Sequence, residues 1–176
     1  MVKIYKFFAY CLFFIAMLLF FLPKENLYYL LEQELAKKEV FISNEKLNEE
    51  IFGISLQDAS VSYKGIEVAQ VHKIRGDFLL FYNKISLQNI ELSSLTASYF
   101  PSKVEDAVVI YSVLDPFVLQ ISAKGTFGIL YGTYALQDGR LKIFLKPSKL
   151  FLKSYRRTLR YMKKSENGEY SYEKAL

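Results

Sequence analysis

A long apolar run opens the chain. Residues 7–22 read FFAYCLFFIAMLLFFL and contain no charge, glycine or proline. With Ile4 and Tyr5 just upstream, the run reaches the roughly 20 residues that a helix needs to cross a hydrocarbon core of about 30 Å. Pro23 then interrupts it. The pattern predicts a transmembrane anchor over residues 1–23.

The next segment, residues 24–38, has the periodicity of a helix. Its repeating positions are apolar except for one acid: Leu27, Leu30, Leu31, Glu34 and Leu35. Spacings of three and four residues place these side chains on one stripe of a helix. We therefore expect a juxtamembrane helix that follows the anchor after a kink at Pro23.

Residues 39–146 are predicted to form a mostly antiparallel β domain of about eight strands joined by short turns, because the pattern changes to period two from Gly53 onward. The predicted strands cover residues 40–42, 54–63, 66–74, 77–82, 85–92, 104–114, 117–124, 125–136 and 141–145. The second of these has a phase slip before Ala59 that indicates a bulge. Turns are predicted at Lys64-Gly65, Asn83-Lys84, Asp115-Pro116 and Asp138-Gly139.

Several of these strands are apolar on one face and aromatic or apolar on part of the other. In residues 125–136, for example, Phe127, Ile129 and Tyr131 are expected on one face. Apolar surface that no helix covers is either a ligand groove or a partner interface. The candidate lipid- or partner-facing residues are Phe78, Leu80, Tyr82, Val109, Tyr111, Phe117, Leu119, Ile121, Phe127, Ile129 and Tyr131. The alternative is that the two flanking helices cover the whole apolar face.

Residues 147–176 are predicted to form a basic amphipathic helix to about Lys164, then a tail with a short strand at 169–172. Phe151, Tyr155, Leu159 and Met162 give the helix one apolar stripe. The expected basic surface consists of Lys149, Lys153, Arg156, Arg157, Arg160, Lys163 and Lys164. Three interpretations stay open: a cap whose charges face solvent, contact with anionic lipid headgroups, and contact with an acidic protein partner.

The residues needed for common catalytic sites are scarce. His72 is the only histidine, and the only cysteine, Cys11, lies inside the predicted anchor. Intramolecular disulfides, thiol catalysis and metal sites built on several histidines or cysteines are therefore excluded. No phosphate-binding loop is present. We expect a protein that is not an enzyme and that uses no cofactor and no metal.

The basic end and apolar core also fit a cleaved secretory signal. A retained anchor is favoured, because the run is longer than a usual signal core and bulky residues, such as Phe20 and Phe21, occupy the cleavage region. Lys3 and Lys6 would keep the N-terminus in the cytoplasm. The predicted location is the bacterial inner membrane with the β domain in the periplasm, where no nucleic acid would be met.

The segment GTFGILYGTYALQDGRLKIFLKPSK (residues 125–149) resembles the type II secretion system protein N family, which is related to the wider AsmA-like group. The resemblance rests on Gly125, Gly128, Gly139, Leu141, Ile143 and Leu145. It implies a curved antiparallel sheet with an apolar concave side. In the wider group such grooves are associated with holding or conducting lipid chains, and in the secretion family the role is accessory. This chain is shorter than typical members.

Two functions follow as expectations. The first is a non-enzymatic periplasmic β domain that handles lipid, or assists a secretion apparatus, through an apolar sheet face. The second is a scaffold subunit of an envelope-spanning assembly that docks a protein partner. The bilayer, lipid acyl chains and envelope proteins are the partners to be considered. In both, the fold class is α+β and mostly β, with an N-terminal transmembrane helix and two flanking amphipathic helices.

Overall fold

A computed structural model describes residues 2–21, 23–79, 81–94 and 101–175, without the side chains of residues 2, 3 and 19. Its helices are α1 (Val2–Phe21), α2 (Lys24–Lys37), α3 (Lys149–Ser154) and α4 (Arg156–Leu159). In this described part of the chain, no helix combines the length and the mean hydropathy required to cross a membrane.

One antiparallel sheet contains every described strand. In chain order they are β1 (Val40–Ser43), β2 (Lys46–Glu50), β3 (Gly53–Tyr63), β4 (Ile66–Phe78), β5 (Tyr82–Leu92), β6 (Lys103–Ser112), β7 (Asp115–Gly125), β8 (Gly128–Ala135), β9 (Arg140–Pro147), β10 (Lys163–Lys164) and β11 (Tyr170–Ala175). The order across the sheet is β1-β3-β4-β5-β6-β7-β8-β9-β11-β10, and β2 also pairs with β3. The predicted mostly β, antiparallel fold with a few helices is confirmed.

Two of the predicted turns lie where glycine can take a left-handed conformation. Gly65, with φ of 75°, lies between β3 and β4, and Gly139, with φ of 61°, lies before β9. Glycine adopts positive φ without the steric penalty that a Cβ brings. Both turns are confirmed.

The predicted strand over residues 77–82 and its turn at Asn83-Lys84 are wrong. β4 continues to Phe78 and β5 begins at Tyr82. Asn83 pairs with Phe78, and Lys84 pairs with Asp77, so both residues lie inside β5. The chain turns between Leu79 and Tyr82, whose backbone groups hydrogen-bond to each other. A continuous apolar run hid this turn because it contains no turn-forming residue.

The turn predicted at Asp115-Pro116 is displaced by two residues. β7 already begins at Asp115, and the turn residues are Val113 and Leu114. Proline at the second position of a strand is compatible with pairing, because it costs a ladder bond only where its missing N–H would have been used.

The phase slip predicted in β3 is confirmed. Leu56 and Ala59 are both buried, whereas Gln57 and Asp58 between them are exposed. Asp58 has a positive φ of 56°, which reverses the alternation of side chains at that point. Its carboxylate lies 2.8 Å from Nδ1 of His72 on β4. The slip keeps apolar residues on the same face of the sheet along the whole strand.

The apolar stripe predicted for residues 24–38 is not the face of α2 that packs on the sheet. Leu27, Leu30 and Leu31 are exposed, and Leu35 alone of the four leucines is half-buried. Tyr28 is instead buried in a cluster with Ile54 and Leu56 of β3. A Tyr adjacent to the leucine stripe makes the contact because it is the side chain that also finds a hydrogen-bond partner there.

The single basic helix predicted for residues 147–164 is replaced by three shorter elements. Ser148 caps α3, Tyr155 interrupts the helix with φ of −116° and ψ of 39°, and α4 ends at Leu159. Lys163 and Lys164 form β10 and pair with β11. The predicted strand at 169–172 is confirmed as β11, which pairs with β9. The sheet therefore continues into the C-terminal segment.

Candidate functional site

Residues that pair directly across an antiparallel sheet lie on the same face. The strand registers therefore trace one apolar row through nine strands. Its members are Leu47, Leu56, Ile74, Leu87, Ala107, Ala123, Leu130, Leu145 and Tyr170. A second row, two residues along each strand, contains Ile54, Gly76, Ile85, Val109, Ile121, Gly132, Ile143 and Tyr172. These rows define what we call the apolar face.

The opposite face of the sheet, called the polar face below, is mixed but more polar. The row between the two apolar rows contains Ser55, Arg75, Ser86, Val108, Ser122, Tyr131, Phe144 and Ser171. The next row adds Gln57, Lys73, Gln88, Asp106, Lys124, Ile129 and Lys146. Ser55 is buried, but the other members of these rows are exposed or half-buried, so most of this face can meet water without a covering layer.

Helices cover the apolar face at its two ends. α2 packs there through Tyr28, against Ile54 and Leu56. At the other end, Phe151 of α3 and Leu159 of α4 pack on Phe127 and Leu145. Both clusters therefore lie on one side of the sheet and are separated by its central strands.

The middle of the apolar face belongs to neither cluster. Ile85 and Leu87 on β5 and Ala107 and Val109 on β6 are half-buried, and none of them is part of the buried clusters at the ends. The small residue Ala107 lies in the first row between Leu87 and Ala123. The apolar face is thus a continuous strip that helices cover at both ends, while its middle, where the small side chain of Ala107 lies, is outside both helix-packed clusters.

A cavity of about 350 Å³ opens beneath α3 and α4. Its walls are almost entirely apolar and include Leu92, Val104, Phe127, Leu130, Leu145 and Met162. The volume lies at the lower end of the range found for small-molecule sites, and apolar walls are typical of such sites. The cavity can hold hydrocarbon but offers few groups that would orient a polar ligand.

The predicted site residues separate into four groups. Phe78, Val109, Tyr111, Leu119 and Ile121 lie on the apolar face. Phe127 is buried beneath α3. Phe117 is exposed at one end of the sheet. Tyr82, Ile129 and Tyr131 lie on the polar face by alternation or register, and Leu80 lies outside the described residues.

The expected grouping of Phe127 with Ile129 and Tyr131 is therefore wrong. Thr126 and Phe127 form the turn between β7 and β8, and Gly128 starts β8 with φ of 116°. This left-handed residue breaks the alternation, so Phe127 and Leu130 share a face while Tyr131 points away. Tyr131 stacks on Phe144 and donates a 2.9 Å hydrogen bond to Glu169, which raises the pKa of Tyr131.

Sequence reasoning missed the central and cavity residues Ile85, Leu87, Ala107 and Leu130. The alternation in ISLQNIEL did contain the signal, since Ile85 and Leu87 occupy every second position. The sequence carries no such signal for the other two residues. Ala107 is small, and Leu130 lies in a strand whose alternation is broken by Gly128. Their place on the apolar face depends on the registers with β5 and β7.

The predicted basic surface is exposed throughout. Its members lie on α3, α4, β10 and the residues between them: Lys149, Lys153, Arg156, Arg157, Arg160, Lys163 and Lys164. The ion pairs found in the described part of the chain involve other residues. These cations are therefore free to meet an anionic surface or partner.

Few side chains in the described residues are placed to act in catalysis or to bind a metal ion. His72 and Asp58 form their 2.8 Å contact at the surface, with both side chains more than half exposed. Within residues 2–21, 23–79, 81–94 and 101–175, no group of three or more His, Cys, Asp or Glu could hold a metal ion. The apolar face is therefore the feature that best defines a candidate site.

Comparison with known proteins adds no neighbour: no family model, curated protein or solved structure matches the chain. A function therefore has to be argued from the residues of the chain itself.

Proposed function

We propose that this chain is a single-pass bacterial inner-membrane protein whose periplasmic β domain holds lipid acyl chains on its apolar face, without catalysis. The observation that carries the proposal is the apolar row from Leu47 to Tyr170, covered by helices only at its two ends. Apolar surface left open to water is unfavourable by about 25 cal/mol per Å², so a hydrocarbon ligand would stabilise it.

The cavity supports the same ligand class. Its apolar lining would accept a hydrocarbon tail, and the hydroxyl-bearing residues of the lining are Thr158, Tyr161 and Tyr172. Val104 on β6 and Leu130 on β8 line the cavity, and the same two strands carry central residues of the apolar face. An extended chain could therefore lie partly in the cavity and partly along the strip, as the resemblance to the type II secretion protein N family and the AsmA-like group also suggests.

The anchor is proposed from the sequence and from α1. Residues 7–22 carry no charge. α1 is helical over Val2–Phe21, and its large apolar side chains, such as Phe7, Phe13 and Phe20, are exposed. Lipid is the environment that would solvate them on all sides.

The lipid proposal is tested with the full chain extracted in mild detergent. Native mass spectrometry and chloroform extraction should detect bound lipid in stoichiometric amount. Val104→Phe fills the cavity and should remove most of it, whereas Val108→Phe, four residues along β6 on the polar face, should retain it. Val104→Ala enlarges the cavity and should also retain lipid.

Lipid-free protein, or equal lipid in the two Phe variants with unchanged thermal unfolding midpoints, would contradict acyl-chain binding. The anchor has its own readout. Intact mass should give a chain that keeps its first 23 residues, and a mature protein that begins near residue 24 would contradict the anchor alone.

A scaffold function is the second candidate, and the exposed basic surface favours it. The exposed side chains from Lys149 to Lys164 are all basic or neutral, so an acidic protein would complement the segment. Crosslinking in cells should recover a protein through a photoreactive residue at Arg157. The double substitution Arg156→Gln/Arg160→Gln removes two positive charges from this surface. If the crosslinked adducts stay unchanged in that variant, the result would argue against this docking surface.

A further inference from the structure

One end of the sheet exposes a row of large apolar side chains. They lie in or beside the turns that join β2 to β3, β4 to β5, β6 to β7 and β8 to β9. We call them the apolar rim: Ile51, Phe52, Phe81, Leu114, Phe117 and Leu136. Leu114 is 97% exposed and Phe81 is 67% exposed. Polar residues would normally occupy turns in these positions, so this composition requires an explanation.

Backbone hydrogen bonds join the rim turn to turn. Phe78 donates its N–H to the carbonyl of Phe52 at 2.7 Å, and Leu136 donates to Phe117 at 2.8 Å. Between them, the N–H of Val113 reaches the carbonyl of Phe81 at 3.0 Å. The rim therefore runs from turn to turn along one end of the strands and is not a set of scattered side chains. Contiguous exposed apolar patches mark interaction surfaces.

The opposite end of the sheet differs. Its fully described turns are Lys64-Gly65, Thr126-Phe127 and the polar residues 165–169 between β10 and β11. Lys64, Gly65 and Thr126 are exposed there, and Phe127 is buried under α3. Beside the Lys64-Gly65 turn, the strand residues Tyr63 and Ile66 are also exposed. Within the described turns themselves, exposed large apolar residues are therefore concentrated at the rim end of the sheet.

Helix α2 connects the rim to the anchor. The N–H of Glu25 lies 3.3 Å from Oε1 of Glu49, which is at the end of β2 beside the rim. Lys24, the first residue of α2, is buried. At the other end of α2, the carbonyl of Glu39 accepts from the N–H of Lys64. α2 thus begins at the rim and runs to the opposite end, so α1 joins the domain at the rim.

We propose that the apolar rim inserts into the interfacial layer of the same bilayer that holds α1. Continuity with the anchor selects this occupant, because the chain leaves the membrane at the end of the sheet where the rim lies. Insertion is shallow, since Gln137 and Asp138 share the turn with Leu136 and need water or headgroups. The inference rests on the proposed anchor.

The orientation has a consequence for the rest of the domain. With the rim at the bilayer, the strands point away from it and span about 30 Å. α3 begins at the far end, where the N–H of Ser148 donates to the carbonyl of Phe127. The basic surface would then face away from the anchoring bilayer, towards other parts of the envelope.

The test uses the full chain in phosphatidylcholine nanodiscs. Cys11 is the only cysteine, so Cys11→Ser gives a background for single labels with an environment-sensitive NBD fluorophore. One label is placed at Leu114→Cys in the rim and a matched label at Lys64→Cys at the opposite end. A third sample labels native Cys11 inside α1. Each is titrated with spin-labelled lipid and with aqueous iodide.

Insertion predicts blue-shifted emission and several-fold stronger quenching by spin-labelled lipid at Leu114→Cys than at Lys64→Cys. Equal behaviour of the two, or strong iodide quenching at Leu114→Cys, would overturn the proposal. A label shielded from both quenchers would point to a second copy or a protein on the rim, and would overturn bilayer insertion too. Native Cys11 reports the anchor separately: lipid quenching there with a water-exposed rim leaves the anchor intact and removes only this inference.

Discussion

Tyr28 on α2 donates a 2.8 Å hydrogen bond from its hydroxyl to Oε1 of Glu45, in the connection between β1 and β2. The ring of Tyr28 is buried against Ile54 and Leu56 at the same time. One side chain thus combines apolar contact with the apolar face and a polar contact at its edge. This pair fixes α2 on the sheet and, with it, the end of the sheet at which α2 begins.

Truncation of Tyr28 should destabilise the domain in two steps. Tyr28→Phe removes the hydrogen bond and should lower the free energy of unfolding by about 1 kcal/mol. Tyr28→Ala also leaves a cavity and should cost about 3–5 kcal/mol. Tyr29→Ala is the matched control, because Tyr29 is half exposed. Denaturant unfolding of the full chain in detergent, followed by circular dichroism, measures all three. An equal loss for Tyr28→Ala and Tyr29→Ala would contradict the assigned role.

The same contact should make stability sensitive to alkaline pH. Burial, and then the hydrogen bond and charge of Glu45, raise the pKa of Tyr28 above its ordinary value. The folded state therefore favours the protonated phenol, and this stabilisation is complete below the unfolded pKa of about 10 and is lost as pH rises beyond it. The stability difference between wild type and Tyr28→Phe should shrink above about pH 10. A difference that stays constant from neutral pH to strong alkali would contradict it.

Among the residues of α3 and α4, Phe151 should be the position at which a substitution lowers the free energy of unfolding most. Its side chain is 0% exposed and stacks on Tyr155 with ring centroids 5.1 Å apart. Phe151→Ala should cost about 3–5 kcal/mol of unfolding free energy. Leu150→Ala, at the preceding and largely exposed position, should change it by less than about 0.5 kcal/mol. Thermal or urea unfolding distinguishes them, and similar losses would show that α3 does not pack as described.

Gly128 should not tolerate a side chain. A Cβ added there would collide with the carbonyl oxygen of Lys146, and the φ of 116° is unfavourable for any L-residue. Gly128→Ala should therefore cost more than about 3 kcal/mol. Gly65→Ala, where a Cβ meets nothing within 4 Å, should cost only about 1–2 kcal/mol. Unfolding midpoints that fall equally in the two variants would contradict the close β8–β9 contact.

Ser148 should contribute a measurable cap to α3. Its hydroxyl accepts a 3.1 Å hydrogen bond from the N–H of Phe151 and donates one to the carbonyl of Thr126. Ser148→Ala should lower the free energy of unfolding by about 1–2 kcal/mol. The exposed Ser154→Ala serves as control. Hydrogen exchange should also quicken at the amide of Phe151, and protection that stays at the wild-type level would argue against the cap.

Much of the fold could be predicted from short segments of the sequence. The alternation in β7 placed Leu119, Ile121 and Ala123 on one face, and the registers confirm it. The slip at Asp58 and the turns at Gly65 and Gly139 also followed from nearby residues. Where the local signal was weak, the prediction failed: the turn after Phe78 lies in an apolar run, and the C-terminal helix is broken at Tyr155 without a proline or glycine.

The amino-acid sequence by itself determined the strand-rich composition, the apolar opening run, the shortage of catalytic residues and the location of the basic charges, since each depends on residue identity or short-range spacing. Only the tertiary structure decided that Leu47 and Tyr170 end one continuous row, that α2 packs through Tyr28, and that exposed turn residues form a rim beside the start of α2. These relationships depend on hydrogen-bonded registers between residues distant in sequence, and each register is chosen by the packing of the whole sheet.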